Sequence, residues 1–157
     1  MRSYTERKLP AFAVGLWERA ASIVEAIPTY WWKSGDTWTC HPRPEPIATP
    51  IELRCHEVTR IVHHVIGPEQ FHNAIADGQY GPIEHSWLEL GSSGYGGMCP
   101  RIILDCYTPA RVPQVQLIDA GPLKPESRLY VRGPARDDIQ DALVNVVVSW
   151  LTHQQAT

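Results

Sequence analysis

Hydrophobic and polar residues mix in a strand-like way in the middle of the chain, at residues 85–90 and 102–107. Both segments combine aromatic, aliphatic and polar side chains, which is typical of β-strands. Between them, residues 91–97 contain four glycines, a composition that favours a turn. We therefore predict a hairpin centred near Tyr95, in which facing residues have numbers that sum to about 190. This register places His85 opposite Asp105, with their side chains roughly 5 Å apart on one face of the sheet.

A spacing of three and four residues predicts an amphipathic helix before this hairpin. Thr49 is a typical N-cap and Pro50 suits the first helical position, so the helix is expected to extend to about residue 66 and stop at Gly67-Pro68. Cys55 then lies early in the helix, on its buried face. That face carries Ile51, Cys55, Val58, Val62 and Val65.

The remaining segments predict the other elements of the fold. Helices are expected at residues 10–26, 68–77 and 135–153, the last with Asp137 and Asp138 in its first turn. Residues 29–40 favour an aromatic hairpin turning at 34–36, and residues 41–50 a proline-rich extended linker. Residues 113–119 and 128–132 predict two further strands. These elements predict an α+β fold, with a small antiparallel β-sheet flanked by helices.

Length and composition favour one domain over residues 1–157. Within it we distinguish an N-terminal helix, aromatic hairpin and linker (1–48), a core (49–119), and a C-terminal strand and helix (120–157). Hydrophobic residues make up 43% and charged residues 20%, an ordinary globular balance. The formal net charge of −3 gives no electrostatic reason to expect nucleic acid as a partner.

The cellular setting is predicted from the cysteines and from the apolar runs. The four cysteines form no CxxC pair and are sparse for a disulfide scaffold. The first residues lead into no uninterrupted apolar core of the kind a signal peptide has, and no run approaches the ~20 apolar residues of a membrane span. We expect a cytoplasmic protein with free thiols and no membrane partner.

His85, Asp105 and Cys55 suggest nucleophilic chemistry. A carboxylate beside an imidazole orients the ring and stabilises its cationic form, which provides two members of a catalytic triad. Cys55 is the candidate nucleophile, because a thiol near a helix N-terminus and beside an imidazolium loses its proton more easily. Cys99, beside Pro100, and Cys106, on the other face of the predicted sheet, are weaker candidates.

The order of these motifs resembles the transglutaminase-like branch of the papain-like cysteine enzymes. Members of that branch carry a Cys at the start of a helix, a His-x-Trp-x-Glu strand and an Asp in the following strand. Here the matching residues are Cys55, the segment His85-Ser86-Trp87-Leu88-Glu89, and Asp105 within Ile-Leu-Asp. The resemblance covers roughly residues 49–119. It departs before the Cys, where the family often has glycine or small polar residues and this chain has Glu52-Leu53-Arg54.

The resemblance implies a thiol protease, peptidase or deamidase acting on a protein or peptide, or alternatively a transamidase. Cys55 attacks the acyl carbon, His85 transfers protons and Asp105 orients the ring. The backbone N–H of Cys55 is expected to be one oxyanion donor, and Gln116 is our candidate for the second. Asn73 and the tryptophan N–H groups are alternatives for that second donor. We also predict a substrate cleft walled by aromatic side chains, namely Trp31, Trp32, Trp38 and Trp87.

Each assignment has a structural alternative. Three of the tryptophans, at positions 31, 32 and 38, suit a small core at least as well as a cleft. Cys55 suits a buried, inert position in a non-catalytic interaction domain, because free Cys is among the most buried residue types. Zinc is a further alternative, with ligands from His56, His63, His64, His72 and the Cys40-His41 pair. His56 and His63 are seven residues apart, however, so we favour histidines on an exposed polar helix face, and we predict no metal and no other cofactor.

Overall fold

The computed structural model describes residues 9–28, 30–34, 37–40, 50–71, 75–90, 101–107, 114–121 and 125–155. The helices are α1 (Ala11–Ala26), α2 (Cys55–Ile66), the short α3 (Glu126–Leu129) and α4 (Asp141–Gln155). A 3-10 turn covers Pro68–Gln70. The strands are β1 (Tyr30–Ser34), β2 (Thr37–Thr39), β3 (Pro50–Glu52), β4 (Ile75–Tyr80), β5 (Ile83–Leu90), β6 (Ile102–Asp105), β7 (Gln116–Asp119) and β8 (Tyr130–Arg132).

The strands form two antiparallel sheets, which confirms the predicted α+β class. The larger sheet has the order β7-β6-β5-β4-β8, and the smaller one the order β2-β1-β3. Helix α1, the pairing of β1 with β2, and strands β7 and β8 all lie within the segments predicted for them. Residues 91–100, which include the predicted turn, lie outside the described residues.

The two faces of the larger sheet have different partners. Leu88, Leu90 and Leu104 pack against α1, α2 and α4 in the main hydrophobic core. The opposite face carries a smaller cluster that includes Trp87 and Tyr130. His85 belongs to this second face, where its ring stacks on that of Trp87. The alternation of side chains along β5 thus separates the core from the face that carries the imidazole.

The register of the central hairpin differs by two residues from the prediction. Leu88 was expected opposite Ile102, but it pairs with Leu104, and Leu90 pairs with Ile102. Asp105 therefore continues the register opposite Trp87, and His85 is its diagonal neighbour. A shift by two residues leaves every side chain on its predicted face. His85 and Asp105 consequently still share one face of the sheet.

Helix α2 begins five residues later than the predicted first helical residue. Pro50–Glu52 is a strand, in which Ile51 pairs with Trp31, and the helix starts at Cys55 with Arg54 as its N-cap. Proline is compatible with the first residue of an edge strand, so Pro50 did not distinguish strand from helix. The side chain of Glu57 accepts a hydrogen bond from the Arg54 N–H, as in a capping box.

Two other predicted helices were wrong in extent. Among the described residues of the segment 68–77, Pro68–Gln70 forms a 3-10 turn, and Ile75–Tyr80 is a strand between β5 and β8. Helix α4 starts at Asp141, so Asp137 and Asp138 precede its first turn. The Asp138 carboxylate instead accepts hydrogen bonds from Arg54 and Arg136. Asp138 thus interacts with two arginines and does not lie in the first helical turn, where it was predicted to interact with the helix dipole.

Candidate active site

Cys55 is the first residue of α2, at the end of the helix where backbone N–H groups have no intrahelical acceptor. It is a free, partly exposed cysteine. Its sulfur lies 3.6 Å from Nδ1 of His56, and His85 is near enough to lower the pKa of the thiol. The helix N-terminus and two imidazoles therefore surround one sulfur atom.

His85 and Asp105 form a buried pair. Nε2 of His85 lies 2.8 Å from Oδ2 of Asp105, and the two side chains are 2% and 0% exposed. A carboxylate only accepts hydrogen bonds, so Nε2 carries the proton and donates it. The other ring nitrogen, Nδ1, is left for the sulfur of Cys55.

Asp105 has two further donors that hold it in place. The Tyr130 hydroxyl donates to Oδ2 over 2.7 Å, and the Tyr107 backbone N–H donates to Oδ1 over 3.2 Å. Burial and the charge of Asp105 raise the pKa of Tyr130 far above its usual range, so the hydroxyl stays a donor. Sequence reasoning missed Tyr130, because nothing in the pattern of β8 indicates which strand its side chain reaches.

The electrostatics of the site favour an ion pair between sulfur and imidazole. Burial raises the pKa of the Cys55 thiol, but hydrogen bonds and positive charge from His56 and His85 outweigh it and lower the pKa to about 6. Burial lowers the pKa of His85, but the hydrogen bonds and negative charge of Asp105 and Cys55 raise it to about 9. Between these values the site holds a thiolate beside an imidazolium, the reactive form of a cysteine nucleophile.

A second set of polar side chains lies on the helix side of the sheet. His56 Nδ1 is 2.6 Å from the Ser86 hydroxyl, which is 2.6 Å from Oδ1 of Asp77. Arg60 donates to Oδ2 of Asp77 over 2.7 Å. His56 was predicted on an exposed helix face, and this was wrong, since it is only 5% exposed. The only sequence signal is adjacency, because His56 follows Cys55 and Ser86 follows His85.

The four tryptophans predicted to line a cleft occupy different environments. Trp31 and Trp87 are 1% and 0% exposed, and Trp32 is also buried. Trp31 Nε1 donates to the Pro28 carbonyl, and Trp87 Nε1 donates to Glu89 Oε1. Trp38 is partly exposed and has the Lys33 ammonium 5.5 Å from its ring centre. This arrangement favours the core alternative for Trp31 and Trp32. The prediction that Trp87 lines a cleft was wrong, because its side chain is buried in the second hydrophobic cluster.

The other candidate residues are spread over the sheet. Gln116 is exposed on edge strand β7, where it pairs with Asp105, and its role as an oxyanion donor stays a prediction. Cys106 is fully buried, and burial raises its pKa well above the usual value, so it is a poor nucleophile. Asn73 and Cys99 lie outside the described residues.

In the part of the chain that the structure describes, no three His, Cys, Asp or Glu side chains converge as metal ligands. Two of the histidines considered for zinc, His41 and His72, lie outside that part. Within the same residues, no helix combines the length and apolar character that a bilayer span requires.

Comparison of the chain with models of protein families, with curated proteins and with solved structures finds no match. What can be assigned to the site therefore depends on its own geometry and chemistry.

Proposed function

We propose that this protein is a cysteine hydrolase that cleaves an amide bond in a protein or peptide, as a protease or deamidase of transglutaminase-like or papain-like type. One observation carries the proposal: the Cys55 thiol, at the first turn of a helix, has its pKa lowered by His85, and Nε2 of the His85 imidazole donates to a buried carboxylate. This is the arrangement of nucleophile, base and orienting group that activates a thiol.

In the first half-reaction, the Cys55 thiolate adds to the acyl carbon and a C–S bond forms. The C–N bond then breaks, and the departing amine takes a proton from the imidazolium of His85, which leaves a thioester and a neutral ring. Asp105 keeps the ring in the tautomer that presents Nδ1 to the sulfur, since Nε2–H is bonded to its carboxylate. Proton transfer by such a positioned group contributes about 10²–10⁴-fold to the rate.

In the second half-reaction, water attacks the thioester while the neutral His85 takes one of its protons. The C–S bond breaks, the carboxylic acid leaves, and the thiolate and imidazolium are restored. The N–H of Cys55 points from the helix N-terminus and suits the developing oxyanion. One such donor lowers the barrier by about 3–4 kcal/mol.

Alkylation of the cysteines, followed residue by residue with mass spectrometry, tests this proposal. Cys55 and Cys40 are both partly exposed, but the pKa of the Cys40 thiol is raised by burial, despite a backbone hydrogen bond, whereas that of Cys55 is lowered to about 6. With iodoacetamide we expect Cys55 to react much faster than Cys40 at neutral pH, with a rate that rises through pH 6. In His85→Ala this advantage should become much smaller.

Equal, slow labelling of Cys55 and Cys40 would overturn the enzyme proposal and favour an interaction domain. If Cys55 is reactive, a cytoplasmic proteome treated with the wild-type protein or with Cys55→Ala identifies the reaction. New peptide termini indicate a protease, glutamine converted to glutamate a deamidase, and new isopeptide links a transamidase. Because thiols are kept reduced in the cytoplasm, which preserves a free Cys55, we propose the cytoplasm as its location.

A further inference from the structure

The sulfur of Cys55 has a second imidazole beside it, which the proposed reaction does not use. Nδ1 of His56 lies 3.6 Å from Sγ and 2.6 Å from the Ser86 hydroxyl oxygen. The His56 side chain is buried, and Ser86 is fully buried. Among the described residues, the ring is linked to Cys55 directly and to Asp77 through Ser86, while Arg60 donates both to Asp77 and to the His56 carbonyl. His85 acts on the same sulfur.

The hydrogen-bond partners fix which atom carries each proton along the series His56, Ser86 and Asp77. Burial raises the pKa of the Asp77 carboxyl, but hydrogen bonds from Arg60, Ser86 and the Arg136 backbone hold it below its ordinary value, so Asp77 is a carboxylate. It can only accept, and therefore Ser86 donates its single hydroxyl proton to Oδ1 of Asp77. The Ser86 oxygen is left as an acceptor, so Nδ1 of His56 carries a proton in both the neutral and the charged ring.

Asp77 is anchored by three separate parts of the fold. Its Oδ2 accepts from Arg60 on α2 over 2.7 Å and from the Arg136 N–H before α4 over 3.0 Å, and its Oδ1 accepts from Ser86 on β5. Because three elements hold the Asp77 carboxylate in place, it in turn fixes the orientation of the Ser86 hydroxyl. Through that hydroxyl it also fixes the orientation of the His56 ring.

We infer that His56 is a positioning residue, held by Ser86 and Asp77 as a permanent hydrogen-bond donor beside the sulfur of Cys55. The inference rests on the proposed function and adds a division of labour between two histidines. The single Nδ1 proton of His56 is donated mainly to the Ser86 oxygen at 2.6 Å, and the sulfur at 3.6 Å accepts the weaker branch of the same three-centre hydrogen bond. Because Nδ1 always carries this proton, the ring can stabilise the thiolate but cannot take the proton of the thiol through Nδ1. His85 is thus the histidine that acts as the base. The Ser86–Asp77 pair prevents His56 from doing so, because it keeps Nδ1 of His56 protonated.

Two substitutions of His56 with side chains of similar size separate the effect of hydrogen-bond donation from the effect of side-chain packing. Asparagine at position 56 can place an amide N–H near the position of Nδ1, whereas leucine has almost the same shape and no donor. The readout is the pH dependence of iodoacetamide labelling at Cys55. We expect the inflection in His56→Leu to lie about one pH unit above that of the wild type, which makes labelling about tenfold slower on the acidic side. His56→Asn should keep an inflection close to that of the wild type.

Two results would overturn the inference: inflections for His56→Leu and the wild type that coincide, or an equal shift in His56→Leu and His56→Asn. If His56→Leu does not fold, as judged by circular dichroism, Ser86→Ala gives the same test. Without the serine oxygen, the His56 proton is no longer fixed: it can turn fully to the sulfur, which lowers the inflection, or move to Nε2, which raises it. We therefore expect the inflection to shift, and an unchanged inflection would overturn the inference.

His85→Ala in the same assay keeps the two proposals distinguishable. An unchanged profile in His85→Ala contradicts the proposed function, whatever the His56 variants do. A shifted profile in His85→Ala together with an unshifted one in His56→Leu overturns only the role of His56.

Discussion

Asp105 carries the most demanding contacts in the candidate site. A fully buried carboxylate is stable only when it is hydrogen bonded and paired with charge. Asp105 meets both conditions, with His85 and Tyr130 on Oδ2 and the Tyr107 N–H on Oδ1. Loss of one donor therefore affects both the stability of the fold and the proton affinity of His85.

Tyr130→Phe tests this dependence at the scale of one hydroxyl group. A hydrogen bond to a charged group contributes about 1.5–3 kcal/mol, so we expect the free energy of unfolding to fall by about that amount. A carboxylate with one donor fewer attracts the His85 proton more strongly, so the pKa of His85 should rise further. Urea unfolding and NMR titration of the His85 ring measure the two effects.

Tyr80→Phe is the matched control for this substitution. The Tyr80 ring also contacts His85 and Tyr130, but its hydroxyl has no hydrogen-bond partner among the described residues. Its removal should change the unfolding free energy much less. Equal changes in unfolding free energy for the two substitutions would show that the Tyr130–Asp105 hydrogen bond does not stabilise the protein as predicted.

At the scale of elements, strand β4 lies between edge strand β8, which carries Tyr130, and strand β5, which carries His85. Gly78 pairs with His85 on one side and with Arg132 on the other. A Cβ atom at this position would clash with the Val131 carbonyl and would lie 2.9 Å from the Arg132 Cα atom. Both are backbone contacts that cannot relax by a rotamer change. The close approach of β4 and β8 therefore requires glycine.

Gly78→Ala should destabilise the protein, because it forces β8 away from β4. Overpacking of this kind typically costs about 1–3 kcal/mol. Gly15→Ala offers the same chemical change in the middle of α1, where nothing lies within 4 Å of the added Cβ atom. For Gly15→Ala we expect the free energy of unfolding to increase by about 0.5–1 kcal/mol, from helix propensity alone. Chemical unfolding of both variants measures the contrast, and two shifts of the same sign would refute it.

At the scale of the whole molecule, the two perturbed groups act on stability in opposite directions. The pKa of His85 is raised to about 9, so its contribution is present below its ordinary pKa of 6.5 and is lost as the pH rises through 9. The pKa of Cys55 is lowered from 9.0 to about 6, so its contribution is present above pH 9 and is lost as the pH falls through 6. Between pH 6.5 and 9 the two slopes offset each other.

Cys55→Ala removes one side of this balance. Asp105 still raises the pKa of His85, so the free energy of unfolding of the variant should decline as the pH rises above about 6.5, with a slope of at most about 1.4 kcal/mol per pH unit. The wild-type protein should change much less over the same range. Urea unfolding at several pH values, under reducing conditions, compares the two slopes. Parallel curves would show that the thiol and the imidazole are not coupled.

The sequence by itself determined the class of fold and the face of the sheet on which His85 and Asp105 lie. Periodicity alone specifies helix or strand over long segments, and a strand keeps its faces under a shift of two residues. For this reason His85 and Asp105 meet although the predicted register was wrong by two residues. Cys55 likewise lies at a helix N-terminus, although that helix begins later than predicted.

Only the tertiary structure decided the ends of the helices and the partners of the polar side chains. Pro50–Glu52 became a strand because β1 supplies a pairing edge, which no local pattern reveals. Tyr130 reaches Asp105, and Asp77 joins Arg60 to Ser86, across separations of 25, 17 and 9 residues. Such contacts depend on which strands become neighbours and how α2 packs on them, and these are properties of the whole chain, which no local segment contains.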